Sequence, residues 1–348
     1  MNATGRPRKL SDMIPAAESF APFFLTAGAV KLRAARFEAE AAKGVCLILN
    51  GQTEFIEKYF EVIDEWRGRG FSVATFDWRG QGGSDRLLPD PRKAHIDDFA
   101  AYDQDLDTVI REVVKPMTAR LPRARSADGG GARSTDEVRR AEGENIIKPV
   151  ALAHSMGGNI LLRRLHSVPD EFAAAILSAP MLGIQPRGVP WWLVERIADA
   201  INRNGPSTDF VWGMAKRDQL KLPFALQIVT SDPKRYARSQ AILKAHPDLR
   251  LNGPTWGWLD AALRAIALTR EPGYAEAIKT PTLMIAAGHD RVCDSAAARA
   301  FAMRMRNAEF MDIKNAEHEI LMERDPFRAQ WWSAVDVFLK KNAPAVSR

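Results

Sequence analysis

Ser155 stands in Ala153-His154-Ser155-Met156-Gly157-Gly158, after the apolar run Pro149-Val-Ala-Leu-Ala153 and before a helical pattern of Ile160, Leu161, Leu162 and Leu165. A serine among small residues at a strand-to-helix junction has the requirements of a nucleophile elbow. The turn strains the backbone of the nucleophile, and bulky neighbours two positions away would strike the strand or the helix. The usual pattern has glycine two positions before the serine, where this chain has Ala153. A hydroxyl is a weak nucleophile until a base takes its proton in the transition state. Of the six histidines, His318 lies in the loop after the last strand run, within Asn315-Ala-Glu-His-Glu-Ile-Leu321, and is the expected base. The imidazole in turn needs a carboxylate to fix its tautomer and stabilise its charged form. Asp290, in Ala287-Gly-His-Asp-Arg-Val292 just past another strand run, is the expected partner. Together the three would carry out acyl transfer through a covalent intermediate, in the chain order serine, aspartate, histidine.

The oxyanion of a tetrahedral intermediate needs two fixed N–H donors. Met156, at the start of the elbow helix, is expected to offer one through its backbone. The other is expected from Gln52, in the loop Asn50-Gly51-Gln52-Thr53 that follows the strand run Val45–Leu49, where Gly51 permits close approach. Other candidates read as structural. Asp294 is taken as a helix cap, Asp312 as a strand residue and His289 as pointing away from Asp290. His154 is taken as packing within the elbow, and His95, His166 and His246 as solvated.

Short apolar, β-branched runs alternating with helical patterns predict an α/β fold, a mostly parallel central sheet flanked by helices. The strand runs are Val45–Leu49, Ser72–Phe76, 149–153, Ala174–Ser178, Thr282–Ala286 and 309–313. A final amphipathic helix carries Trp331, Trp332, Val335, Phe338 and Leu339. About a hundred residues separate Ser178 from Thr282, too many for a bare loop. They hold Trp191, Trp192, Phe210, Trp212, Phe224, Trp256 and Trp258, and are expected to form an inserted helical cap. The core would then comprise residues 1–180 and 280–348, with the cap over 181–279. Residues 120–144, rich in Arg and Gly with few large apolar side chains, read as a solvated surface excursion.

The 348 residues carry 46% hydrophobic and 26% charged side chains, an ordinary globular balance able to bury a full core. The net charge of +6 is modest, and no Lys/Arg stripe with interleaved aromatics predicts nucleic-acid binding. Cys46 and Cys293 sit in or beside apolar runs and are expected to be buried free thiols. No ligand spacing predicts a metal. The amino terminus lacks an uninterrupted apolar run and no stretch reaches membrane-spanning length, so the default expectation is a cytoplasmic protein.

Several segments taken together resemble the bacterial lysophospholipase L2 family. They are Leu49-Asn-Gly-Gln-Thr-Glu-Phe-Ile-Glu-Lys-Tyr59, Phe76-Asp-Trp-Arg-Gly-Gln-Gly-Gly-Ser84, the Ser155 elbow, Asn252-Gly-Pro-Thr-Trp-Gly-Trp258 and Ala316-Glu-His-Glu-Ile-Leu321. That family belongs to the monoacylglycerol-lipase-like, serine aminopeptidase S33 branch of the α/β-hydrolases. The resemblance runs from about Val30 to Phe338 apart from the 120–144 segment. It implies the α/β-hydrolase fold with a helical cap, Ser155 as nucleophile, Asp290 and His318 as its partners, and Gln52 and Met156 as oxyanion donors. It further implies an acyl ester or lysolipid substrate and no cofactor. Many relatives have His-Gly where this chain has Asn50-Gly51, and most have glycine where it has Ala153. Neither change removes a reacting group. Two other readings compete. An S33-type aminopeptidase would need cap carboxylates for a substrate ammonium, for which Glu195, Asp199, Asp209 and Asp218 are available. A non-catalytic α/β-hydrolase serving as an interaction module would usually lack one of the three reacting residues, and here all three are present. A basic chain with cap aromatics could also touch a membrane peripherally.

Overall fold

The computed structural model describes residues 15–121, 147–185, 188–214 and 218–343, so the 120–144 segment lies, beyond Leu121, outside the described residues. Eight strands form one sheet: β1 Phe23–Ala27, β2 Val30–Phe37, β3 Gly44–Leu49, β4 Phe71–Phe76, β5 Val150–His154, β6 Ala174–Ser178, β7 Thr282–Ala287 and β8 Ala308–Ile313. Their spatial order is β1-β2-β4-β3-β5-β6-β7-β8. From β4 to β8 all neighbours run parallel, while β2 is antiparallel to both β1 and β4. Six of the eight strands match the predicted runs to within a residue or so. The β1–β2 hairpin, with Gly28 at φ +65° in its two-residue turn, did not emerge from the sequence.

Strands β3 to β7 are buried along their whole length because helices cover both faces, whereas β8, at the sheet edge, is buried only at Ile313. Alternate side chains therefore enter separate cores. Val45, Leu47 and Leu49 join one cluster, and Cys46 and Ile48 join the other. The longer helices among the described residues are α1 Phe60–Gly68, α2 Ala100–Val109, α3 Met156–Ser167, α4 Trp191–Asn204, α5 Pro233–Ala245, α6 Trp256–Arg270, α7 Ser295–Arg304 and α8 Asp325–Asn342. On the first face lie α2, α3 and α6; on the second, α1 and α8 contribute Trp66, Trp331 and Phe338. Asp98 accepts from the Ala100 N–H at the entrance to α2.

Between β6 and β7 the chain forms α4, α5 and α6 with short 3-10 turns. Trp258, Ala261, Ala262, Ala265 and Ile266 of α6 belong to the main core, so this helix returns to the sheet layer. Against it α4 packs through a separate apolar cluster of Val194, Ile197, Ala198, Trp256 and Leu263. α5 joins a small apolar cluster of Ile242 and Leu243 with Phe55 and Leu249, and adds charge to it. Arg235 binds Glu61 of α1 at 2.6 Å and Asp325 at 2.7 Å, and Arg238 reaches Glu61 at 2.7 Å.

Candidate active site

The elbow is built by close packing around glycines. Ser155 has φ 51° and ψ −117°, a strained conformation that turns the chain from β5 straight into α3. A Cβ on Gly157 would lie 2.6 Å from the carbonyl oxygens of both Leu49 and Asn50, and one on Gly158 would lie 2.8 Å from Pro180. Backbone cannot yield at those distances, which explains both glycines. Ala153 is fully buried in the core, so its methyl is accommodated where relatives carry glycine.

The structure brings Ser155, His318 and Asp290 together. His318 Nε2 lies 3.0 Å from Ser155 Oγ, and its Nδ1 lies 2.7 Å from Asp290 Oδ2. The other Asp290 oxygen accepts from the Val292 and Cys293 N–H groups, each at 2.8 Å. Burial acts to raise the Asp290 pKa, but His318 and those two donors outweigh it and hold the carboxyl below its ordinary 3.8. Asp290 is therefore an anion at working pH, and it favours the tautomer in which His318 Nε2 faces the serine with a lone pair.

Met156 occupies the first position of α3, where a backbone N–H has no intrahelical partner. Gln52 lines the same cavity as Ser155, and its side-chain Nε2 is buried without a partner among the described residues. A Cβ on the preceding Gly51 would lie 2.9 Å from Glu54 Oε2, 3.0 Å from His154 Nδ1 and 3.2 Å from Ser155 Cβ, so this loop presses directly on Ser155. Two residues of the Phe76–Ser84 stretch, to which the sequence assigned no role, hold the loop there. Trp78 Nε1 donates to Asn50 O at 3.0 Å, and Gln81 Nε2 donates to Gly51 O at 2.8 Å.

A cavity of about 420 Å³ opens over Ser155 and His318, lined by Phe55, Met181, Ile184, Val194 and Val211 among others. None of Glu195, Asp199, Asp209 and Asp218 lines it. Asp199 pairs with Arg203, Asp209 with Lys93, and Asp218 caps the Gln219–Lys221 turn. The only carboxylates in the lining are Glu54 and Glu319, and Lys58 binds both. Among the described residues no group of three or more His, Cys, Asp or Glu could hold a metal ion.

The remaining candidates mostly sit as read. Asp294 caps α7 through the Ala296 and Ala297 N–H groups, Asp312 lies in β8, and exposed His289 turns to Glu317 at 3.2 Å. His166 and His246 are exposed. His95 is a correction: it is buried, and its Nδ1 sits 2.7 Å from Thr255 Oγ1. Cys46 and Cys293 are buried and free. Cys293 Sγ lies 3.8 Å from Ser155 Oγ, but burial pushes its thiol pKa well above the usual range and the Asp290 charge adds to the push. It stays a neutral thiol beside Ser155. His154 does more than pack. Its Nδ1 meets Glu54 Oε2 at 3.0 Å, in a buried group with Lys58, Tyr59 and Glu319 that sequence spacing could not reveal.

A family model described as serine aminopeptidase, S33, matches residues 40–135 and 131–325. The chain belongs to this family. Within it, this S33 hydrolase is similar to lysophospholipase L2 of Escherichia coli strain K12, at 30% identity over 328 residues covering 92% of this chain and 87% of the relative. The probable lysophospholipase L2 of Haemophilus influenzae is 27% identical, covering 86% of this chain and 84% of the relative. Solved structures show the same α/β-hydrolase fold. The monoglyceride lipase of Saccharomyces cerevisiae superposes with a TM-score of 0.70 at 18% identity, covering 97% of this chain and 98% of that one. The monoacylglycerol lipase of Paleococcus ferrophilus gives 0.63 at 20% identity, covering 89% and 98%. No described helix is long and apolar enough to cross a membrane.

Proposed function

We propose that this S33 hydrolase cleaves the acyl ester of single-chain lipids, lysophospholipids or monoacylglycerols, with Ser155 as nucleophile. Its enzyme class is carboxylic ester hydrolase. The observation that carries the finer reading is the line Ser155–His318–Asp290, at 3.0 and 2.7 Å, opening into a largely apolar cavity. In the proposed reaction Ser155 Oγ attacks the ester carbonyl while His318 takes its proton. The oxyanion is held by N–H groups of Gln52 and Met156, and His318 then protonates the leaving alcohol. Water repeats the sequence on the acyl-enzyme, releasing the fatty acid. Nothing in these steps calls for a metal or organic cofactor.

The apolar lining suits one acyl chain, and residues 181–279 supply much of it in the role of a cap. The test is a panel of p-nitrophenyl esters, lysophosphatidylcholine, monoacylglycerol and aminoacyl-p-nitroanilides assayed with purified protein. Cleavage of the lipid esters is expected, with rates depending on acyl length. Turnover of the anilides alone would overturn the reading in favour of aminopeptidase activity, and inertness across the panel would point to an interaction module.

The cap also presents Trp192 at 61% exposure, Leu226 at 68% and Trp212 at 71%. Aromatic side chains exposed on a basic protein favour reversible contact with an anionic bilayer. The wild type should float with anionic liposomes at low salt, and a Trp192→Ala, Trp212→Ala double variant should remain mostly at the bottom of the gradient. Wild-type protein left at the bottom with such vesicles would reject the membrane contact.

A further inference from the structure

We propose that His154 is a doubly protonated positioning residue, an imidazolium that ties the oxyanion loop to the backbone of His318. The proposal rests on the triad reading above and concerns the residue immediately before the nucleophile.

Both ring nitrogens of His154 face acceptors. Nδ1 lies 3.0 Å from Glu54 Oε2, and Nε2 lies 3.3 Å from the carbonyl oxygen of His318. A carbonyl oxygen only accepts. The Glu54 carboxylate also only accepts, because its oxygens already receive Lys58 Nζ at 2.8 Å, Tyr59 Oη at 2.6 Å and Gly51 N–H at 2.5 Å. A neutral imidazole would aim a lone pair at one of these acceptors, whereas an imidazolium satisfies both.

Charge balance gives the same answer independently. His154 is 3% exposed, Glu54 3% and Lys58 8%. Lys58 also binds Glu319 at 2.6 Å, so the group holds two carboxylates and one ammonium, and a protonated His154 brings it to neutrality. A neutral ring would leave an uncompensated buried anion, a costly state. Burial alone would lower the His154 pKa; the Glu54 carboxylate, with help from Glu319 and against Lys58, raises it above the ordinary 6.5.

Two consequences reach the chemistry. The ring bridges Glu54 of the oxyanion loop to the His318 backbone, so both halves of the machinery share one rigid joint. In addition, its centroid lies 4.8 Å from that of His318. An imidazolium there places a fixed positive charge beside His318. The charged and titratable groups facing His154 are Glu54, Lys58 and Tyr59 from the loop after β3, and His318 and Glu319 from the loop after β8.

The experiment is nitrogen NMR of the full chain labelled in histidine, with His154 assigned by difference against His154→Gln. Both His154 ring nitrogens are expected to read as protonated at about pH 7. In Glu54→Gln, which removes the charge and keeps the shape, His154 should lose one of those two protons at the same pH. A ring that serves only as packing would show one protonated nitrogen in both proteins. A single protonated nitrogen in the wild type, or an unchanged signature in Glu54→Gln, would each overturn the proposal. The NMR measurement needs no substrate, so failure of the lipid-ester reading leaves it standing.

Discussion

Replacement of Ser155 by alanine is expected to lower kcat/KM for an activated ester by roughly 10⁴- to 10⁶-fold, while leaving the fold intact. Ser155 is 8% exposed at the base of the cavity, and its hydroxyl is the group that His318 Nε2 addresses. With the hydroxyl gone, no neighbour can replace it. The nearest sulfur, Cys293, is a neutral thiol. Without attack by a protein atom there is no acyl-enzyme, and only the binding and oxyanion contributions remain. The check is a steady-state assay alongside circular dichroism of wild type and variant. Activity within tenfold of wild type, on a folded variant, would remove Ser155 from the mechanism.

Asp290→Asn should cost about 10⁴-fold in kcat, with KM little changed. Asp290 Oδ2 accepts from His318 Nδ1, and Oδ1 is already committed to two backbone N–H groups. An asparagine can keep those two backbone bonds only by turning its amide nitrogen toward His318. That nitrogen donates, so His318 must carry its proton on Nε2, where Ser155 then finds no base. Because the Asp290 pKa is depressed, the sign of its pH effect is fixed. Its contribution to stability is complete above the ordinary 3.8 and is lost only as the pH falls below it. A variant retaining more than a tenth of wild-type kcat would show that His318 is oriented by something else.

What the sequence disclosed, and what it hid, divides along physical lines. Strands β3 to β7 are legible because burial on both faces demands continuous apolar runs, and the elbow because close backbone approach demands Gly157 and Gly158. His318 and Asp290 could be found from their places after β8 and β7. The hairpin was hidden by its own composition. β2 carries Lys31, Arg33 and Arg36, and Arg33 is buried only because Glu57 and Asp77 meet it at 2.6 Å from distant segments. His95 was misread for the same reason, since its partner Thr255 lies 160 residues away. The setting of His154 is likewise assembled from residues 54–59, 154 and 319, and no periodicity encodes such a meeting.

The unequal fastening of α4 and α5 gives the cavity a preferred direction of yield. Val229 O accepts from the Glu319 N–H at 2.7 Å, Thr230 Oγ1 donates to Met322 O at 2.7 Å, and Ser231 bonds Glu323. The stretch leading into α5 is thus stitched to the loop that carries His318, and any shift of that wall is transmitted to the base. The opposite wall, α4, rests on α6 through aliphatic and aromatic contacts and shares no hydrogen bond with His318. Apolar packing of this kind fixes no hydrogen-bond geometry, so α4 is the wall that can yield without disturbing the contacts among Ser155, His318 and Asp290.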